Sequence, residues 1–128
     1  MSLARGVPVH GEFSSSDASA LSEANSRILL YGAGSTSAAT LTSTDYVVIS
    51  SLVIVAGAAL TVTVYDGDNN TVGAGEVVCK GNLAANGVVA HTLPVPHTCQ
   101  AGTWPKVKTS GAGQVDVTLQ GYITTLPG

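Results

Sequence analysis

The stretch DYVVISSLVIVAGAALTVTVYD, Asp45 to Asp66, decides the fold class. Between its two aspartates, Tyr46 to Tyr65 runs for 20 residues without a charge, about the length a membrane-spanning helix needs. Its pattern is nevertheless that of strands. Val, Ile and Thr dominate, and β-branched side chains favour extended backbone. Gly57 interrupts the run and Gly57-Ala58 reads as a turn. Beyond it, Leu60, Val62 and Val64 alternate with Thr61, Thr63 and Tyr65, the period of a half-buried strand. Before it, Tyr46 to Ala56 is apolar enough for a strand buried on both faces. A core hairpin, not a transmembrane helix, is the expectation.

Working outward, the same texture continues. Arg27 to Tyr31 is a short strand ended by Gly32-Ala-Gly34, and Ala38 to Thr42 is a weaker one. Asp66-Gly67 is a hairpin dipeptide, followed by a strand from Glu76 to Lys80. Asn86-Gly87 opens a second hairpin into Val88 to Leu93, where Pro94 and Pro96 stop the strand because proline donates no ladder hydrogen bond. Trp104 to Thr109 follows. In the last strand Val115, Val117 and Leu119 face one way and Gln114, Asp116, Thr118 and Gln120 the other, with Tyr122-Ile123 extending it. No segment after Ala24 keeps a helical period. The predicted fold is all-β: an antiparallel β-sandwich, jelly-roll or immunoglobulin-like, of seven to eight short strands. Residues 27–128 form the sandwich domain. Residues 1–26 form an extended N-terminal arm or tail, in which Asp17 could cap a helical turn through Ala24. That segment reads either as a mobile tail or as an arm that orders against a neighbouring subunit.

Composition narrows the function. Only 10% of the 128 residues are charged, 8 acidic against 5 basic, for a net charge of -3, while mean hydropathy is +0.34. Five basic residues spread along a chain do not make the dense positive surface that nucleic acid or an anionic membrane requires. General disorder needs low hydrophobicity and high net charge, the reverse of this chain. The first ten residues, Met1 to His10, lack the apolar core of a secretory signal peptide.

The chemistry-bearing residues are few. Cys79, in phase with Val77, reads as a core thiol and Cys99 as a more exposed thiol in a proline-flanked loop, or else the two form a disulfide closing a loop of about 20 residues. His91, His97, Cys99 and Cys79 do not have a known zinc spacing and no C-x-x-C pair anchors them. No metal site or cofactor is therefore expected, and the histidines read as one on a strand face and one in a loop. Asp66 and Asp68 open a stretch that resembles a calcium loop but has Thr71 in place of the required glycine, so a hairpin turn is the simpler reading. Trp104 packs in the core, or else forms a sugar-stacking surface with Tyr31 or Tyr65. No Gly-x-Ser-x-Gly elbow and no close carboxylate pair is present, and the chain reads as a non-enzyme. Trp104, Tyr65, Asp66 and Asp68 are the candidate ligand or partner contacts.

The stretch Asp45 to Gly67, with Gly102-Thr-Trp-Pro-Lys-Val-Lys-Thr-Ser-Gly-Ala-Gly113 and Gln114-Val-Asp-Val-Thr-Leu-Gln-Gly-Tyr122, resembles the small β-sandwich virion proteins of tailed bacteriophages. The likeness is one of texture and strand order over roughly residues 40–123 and includes no diagnostic motif. It implies a capsid decoration (cement) protein or related head or tail accessory protein. Such a protein binds the major capsid protein on the outside of the phage head as a homo-oligomer, commonly a trimer, and has no catalytic residues. It also implies location in the virion after assembly in the host cytoplasm, with residues 1–26 as a capsid contact. The two cysteines depart from that pattern. The alternative is a carbohydrate-binding or adhesin β-sandwich module of a secreted or tail-fibre protein. A small hydrolase or metal enzyme using Cys99, His91 and His97 is the remaining class.

Overall fold

The computed structural model describes residues 7–15, 26–32, 34–66 and 77–125, and among these every regular element is a strand. The strands are β1 (Val7–Ser15), β2 (Leu29–Gly32), β3 (Tyr46–Ala56), β4 (Leu60–Asp66), β5 (Val77–Leu83), β6 (Gly87–Thr98), β7 (Pro105–Thr109) and β8 (Val115–Thr124). They form a five-stranded sheet in the order β2-β1-β8-β3-β6 and a three-stranded sheet in the order β5-β4-β7, all antiparallel. Alternating apolar residues from both sheets meet between them, including Val9, Phe13, Leu52, Ile54, Val62, Val64, Val107, Val117 and Leu119. This is a β-sandwich.

The pairing has a simple rule: β1 pairs with β8, β3 with β6 and β4 with β5. The remaining pair, β2 with β7, is made just before β2 begins. Arg27 bridges Lys106, Ile28 N–H donates to the Pro105 carbonyl at 2.8 Å, and Val107 N–H donates to the Ser26 carbonyl at 2.9 Å. First strand with last, second with seventh, and so inward is the wrapping of a jelly roll. The immunoglobulin order puts strands 1, 2, 4 and 5 in one sheet and is not found here. The segment around Ile28 thus leaves the β7 edge of one sheet and enters the other beside β1, which buries both Ile28 and Leu30.

Several local expectations change for physical reasons. Val7 to Ser15, within the segment read as an arm, is an interior strand of the five-stranded sheet, with Val9 and Phe13 in the core. Its Pro8, Gly11 and serines hid the alternation. Residues 16–25, including Asp17, lie outside the described part. Ala38 to Thr42 is a loop; Ala39 and Leu41 pack on the core, and Ala39 N–H donates to Leu30 O at 2.6 Å. The Tyr46–Tyr65 stretch is two strands, but they lie in different sheets, so Gly57-Ala58 turns a corner of the sandwich rather than closing a hairpin. Asn86-Gly87 likewise carries the chain from β5 to the other sheet; Asn86 adopts φ 62° and Gly87 N–H donates to Ala84 O, a positive φ that Asn tolerates. Strand β6 continues through Pro94 and Pro96 to Thr98. It is an edge strand, and Leu93 to Pro96 fall in a register break between the pairs Thr92–Ser51 and His97–Ile49, where no ladder donor is required.

Burial on both faces holds only for Val47 to Ile49 of β3; farther on, Leu52, Ile54 and Ala56 are buried while Val53 and Val55 face outward. The phase change is made by Ser50, an extra residue between the pairs Ile49–Gly121 and Ser51–Gln120. Its hydroxyl donates to the Gln120 carbonyl at 3.0 Å, satisfying an acceptor that the bulge takes out of register. Gly121 faces this kink. A Cβ there would collide with the Val48 carbonyl oxygen and lie 3.1 Å from Ile49 Cα. Gly121→Ala is therefore expected to destabilise by about 1–3 kcal/mol, the cost of overpacking a rigid site. Gly32→Ala, where a Cβ meets nothing within 4 Å, is expected to stay within about 0.5 kcal/mol. Urea denaturation of the two variants distinguishes them; equal effects would remove the close-approach argument.

Candidate functional site

Strand phase builds a polar cluster at the edge of the apolar layer between the sheets. On β4 the inward positions are Leu60, Val62 and Val64, and the next is Asp66, 2% exposed. On β6 His97 lies opposite the inward Ile49, and two residues on Cys99 is aligned by its N–H donating to Val47 O at 2.8 Å. The three side chains therefore meet between the sheets where β4 and β6 end. His97 Nε2 lies 2.6 Å from Asp66 Oδ1, and Gln100 N–H donates to Asp66 Oδ2 at 3.1 Å. One carboxylate thus ties the three-stranded sheet to the end of the five-stranded one. The ligand-capable atoms of Asp66, His97 and Cys99 all lie within 4.8 Å of one another. Burial, reinforced by the neighbouring Asp66 charge, pushes the Cys99 thiol far above its ordinary range. An activated nucleophilic cysteine needs the opposite shift.

The other candidate residues separate. Cys79 and Cys99 are free thiols and form no disulfide; Cys79 sits half-buried on β5 opposite Val64, and burial pushes its pKa up as well. His91 is exposed on β6. Tyr65 is buried at 1% and Trp104 is half-buried on the core, with the Arg27 guanidinium carbon 5.7 Å from its ring centroid. Tyr31 stacks on His10 at 5.6 Å instead, so the described aromatics do not build a joint sugar platform. Asp68 and the rest of the calcium-like stretch lie outside the described residues, while Asp66 is turned inward to His97.

Two surfaces complete the picture. Three of the five basic residues, Lys80, Lys106 and Lys108, belong to the three-stranded sheet; Lys106 is buried, while the exposed Lys80 and Lys108 flank Thr63 across the strands. Lys80, Lys108 and Thr63, with Thr61, Val77, Thr109 and Ser110, line a shallow groove of about 410 Å³. The outward face of the five-stranded sheet is different. Ser51, Val53 and Val55 of β3 run beside Thr92, Ala90 and Val88 of β6 and beside Gln120, Thr118 and Asp116 of β8, so Asp116 is the one acidic residue among these nine, and β1 sets His10 and Glu12 beside Gln120 and Thr118.

The clue to the cluster was present in His97-Thr-Cys99, since a spacing of two puts both side chains on one strand face. Asp66 was missed as their partner because only the tertiary fold brings it there. Cys99 carries a measurable consequence. In the unfolded chain its thiol ionises near pH 8.5; in the native chain it stays protonated well above that. The native state then binds more protons, so the stability this thiol contributes is complete below about pH 8.5 and is lost as pH rises above it. Denaturation from pH 7 to 10 is expected to show an alkaline decline that Cys99→Ala reduces by up to about 1.4 kcal/mol per pH unit. An unchanged decline in the variant would refute this. Comparison of the chain with protein-family models, with curated proteins and with solved structures found no match.

Proposed function

We propose that this chain is a non-enzymatic virion structural protein, a decoration protein that binds the outer surface of a phage head, braces its major capsid protein and associates with copies of itself, a trimer being favoured. The observation that carries the reading is the outward face of the five-stranded sheet. Val53 and Val55 there are 38% and 36% exposed and Val88 is 62% exposed; Val53 lies between Ala90 and Thr118, and Val55 between Val88 and Asp116. A soluble surface ordinarily interleaves both signs of charge. A nearly uncharged strip with an apolar centre suits burial by a partner. The jelly roll, an architecture used by viral capsid and lectin domains alike, is compatible with this role without specifying it. Repetition on a symmetric lattice multiplies modest individual contacts.

Two further features fit. Strand β6 is an edge, and its proline-containing register break discourages uncontrolled edge pairing. The carbohydrate-binding alternative loses its aromatic surface, because Tyr65 is buried and Trp104 is packed under Arg27. Val53→Lys with Val55→Lys is expected to leave the monomer's stability nearly unchanged, since surface substitutions usually cost within about 0.5 kcal/mol each. The same pair is expected to weaken co-sedimentation with purified phage heads at least tenfold. A monomeric wild-type chain that does not bind heads would overturn the proposal.

A further inference from the structure

The Asp66–His97–Cys99 cluster is more than a polar tie between sheets. It gathers three different metal-ligating groups, a carboxylate, an imidazole and a thiol, at one point of the interior. Asp66 and Cys99 are 2% and 1% exposed, while the His97 side chain is 23% exposed. The cluster is therefore walled by protein on two sides and reachable from the third. Burial and the neighbouring Asp66 carboxylate both oppose ionisation of the Cys99 thiol. A cation among them reverses the sign of that interaction, since a metal-bound thiol gives up its proton.

We propose that Asp66, His97 and Cys99 form a binding site for a zinc-type divalent transition metal. The donor set selects the metal class. Sulfur and imidazole nitrogen suit zinc and its neighbours, whereas calcium and magnesium take oxygen. Zinc bond lengths of about 2.0–2.3 Å place tetrahedral donors about 3.3–3.6 Å apart. The His97 Nε2–Asp66 Oδ1 hydrogen bond of 2.6 Å opens by about 0.7 Å to reach that spacing, and the widest pair, within 4.8 Å, closes by roughly an ångström. Three protein ligands leave a fourth position for water or a partner's side chain on the His97 side. Because Asp66 ends β4, while His97 lies at the end of β6 and Cys99 just past it, the metal cross-links the two sheets. The site does not depend on the capsid reading.

The test uses the full-length, tag-free chain. Cobalt(II) titration followed by absorbance, and zinc content after dialysis, are measured for wild type, Cys99→Ser, His97→Gln and the control His91→Gln. One equivalent per chain is expected in wild type and in His91→Gln, with a thiolate-to-cobalt charge-transfer band in the near ultraviolet. Cys99→Ser loses that band, and His97→Gln weakens binding at least tenfold. Zinc raises the melting temperature of wild type, and a chelator reverses the rise. Less than 0.1 equivalent of metal on the wild-type chain, with no shift in melting temperature, overturns the proposal, and so does a charge-transfer band that survives in Cys99→Ser. Should Cys99→Ser fail to fold, wild-type stoichiometry and the His97→Gln comparison still decide.

Discussion

The β3–β8 ladder is the constraint on which the rest of the molecule depends. It runs from Tyr46–Thr124 to Ala56–Val115 through the centre of the five-stranded sheet, with β1 on its other flank and β6 beyond β3. Its inward residues, Leu52, Ile54 and Ala56 against Leu119, Val117 and Val115, form the floor on which β4 and β7 pack. The ladder can bend because Ser50 adds a residue and Gly121 leaves room for the Val48 carbonyl. That bend turns Val47 and Ile49 inward on one side of Ser50 and Leu52, Ile54 and Ala56 inward on the other. It therefore also sets the register at which β6 places His97 opposite Ile49 and Cys99 beside Val47. The polar cluster thus depends on a bulge in the neighbouring strand β3, next to the Ile49–His97 pair.

What was legible in the sequence was whatever a strand declares locally. Leu60 to Tyr65 and Val115 to Gln120 alternate cleanly and became β4 and β8. The charge-free run between Asp45 and Asp66 resolved into two strands by its β-branched content, not by its length. Pairing was not legible. In a jelly roll most ladder partners are remote, so Gly57-Ala58 and Asn86-Gly87 mark bends correctly but cannot state whether the chain returns to the same sheet. Val7 to Ser15 was hidden by Pro8, Gly11 and its serines, although Gly11 faces inward where a Cβ would strike Leu119 and Ile28. Its small size there is a packing requirement that composition cannot reveal. For the site, two members share one strand and were visible as a spacing, whereas Asp66 lay in an apparent turn and became a partner only through sandwich closure.

Low charge takes on a more specific meaning in three dimensions. The basic residues are not scattered: three of the five belong to the β5 and β7 flanks of the smaller sheet. The larger sheet presents Ser, Thr, Ala and Val on the outward face of β3 and β6, with Gln120 and Asp116 on β8 and His10 and Glu12 beside it on β1. The two faces of the sandwich therefore differ in chemistry, one carrying the exposed Lys80 and Lys108 and the other an uncharged β3–β6 strip bordered on the β8 and β1 side by Asp116 and Glu12. A molecule built to stand alone in water gains little from such asymmetry. A molecule that presents one face to a lattice and the other to solvent gains a preferred orientation from it.

The most direct measurement of this account is hydroxyl-radical footprinting of the chain free in solution and bound on phage heads, read residue by residue by mass spectrometry. Val53, Val55 and Val88 are expected to be oxidised in the free chain and protected at least several-fold on the particle, while Lys80 and Lys108 on the opposite sheet keep their accessibility. Equal labelling of the three valines in both states would contradict the claim that this face is built to be covered.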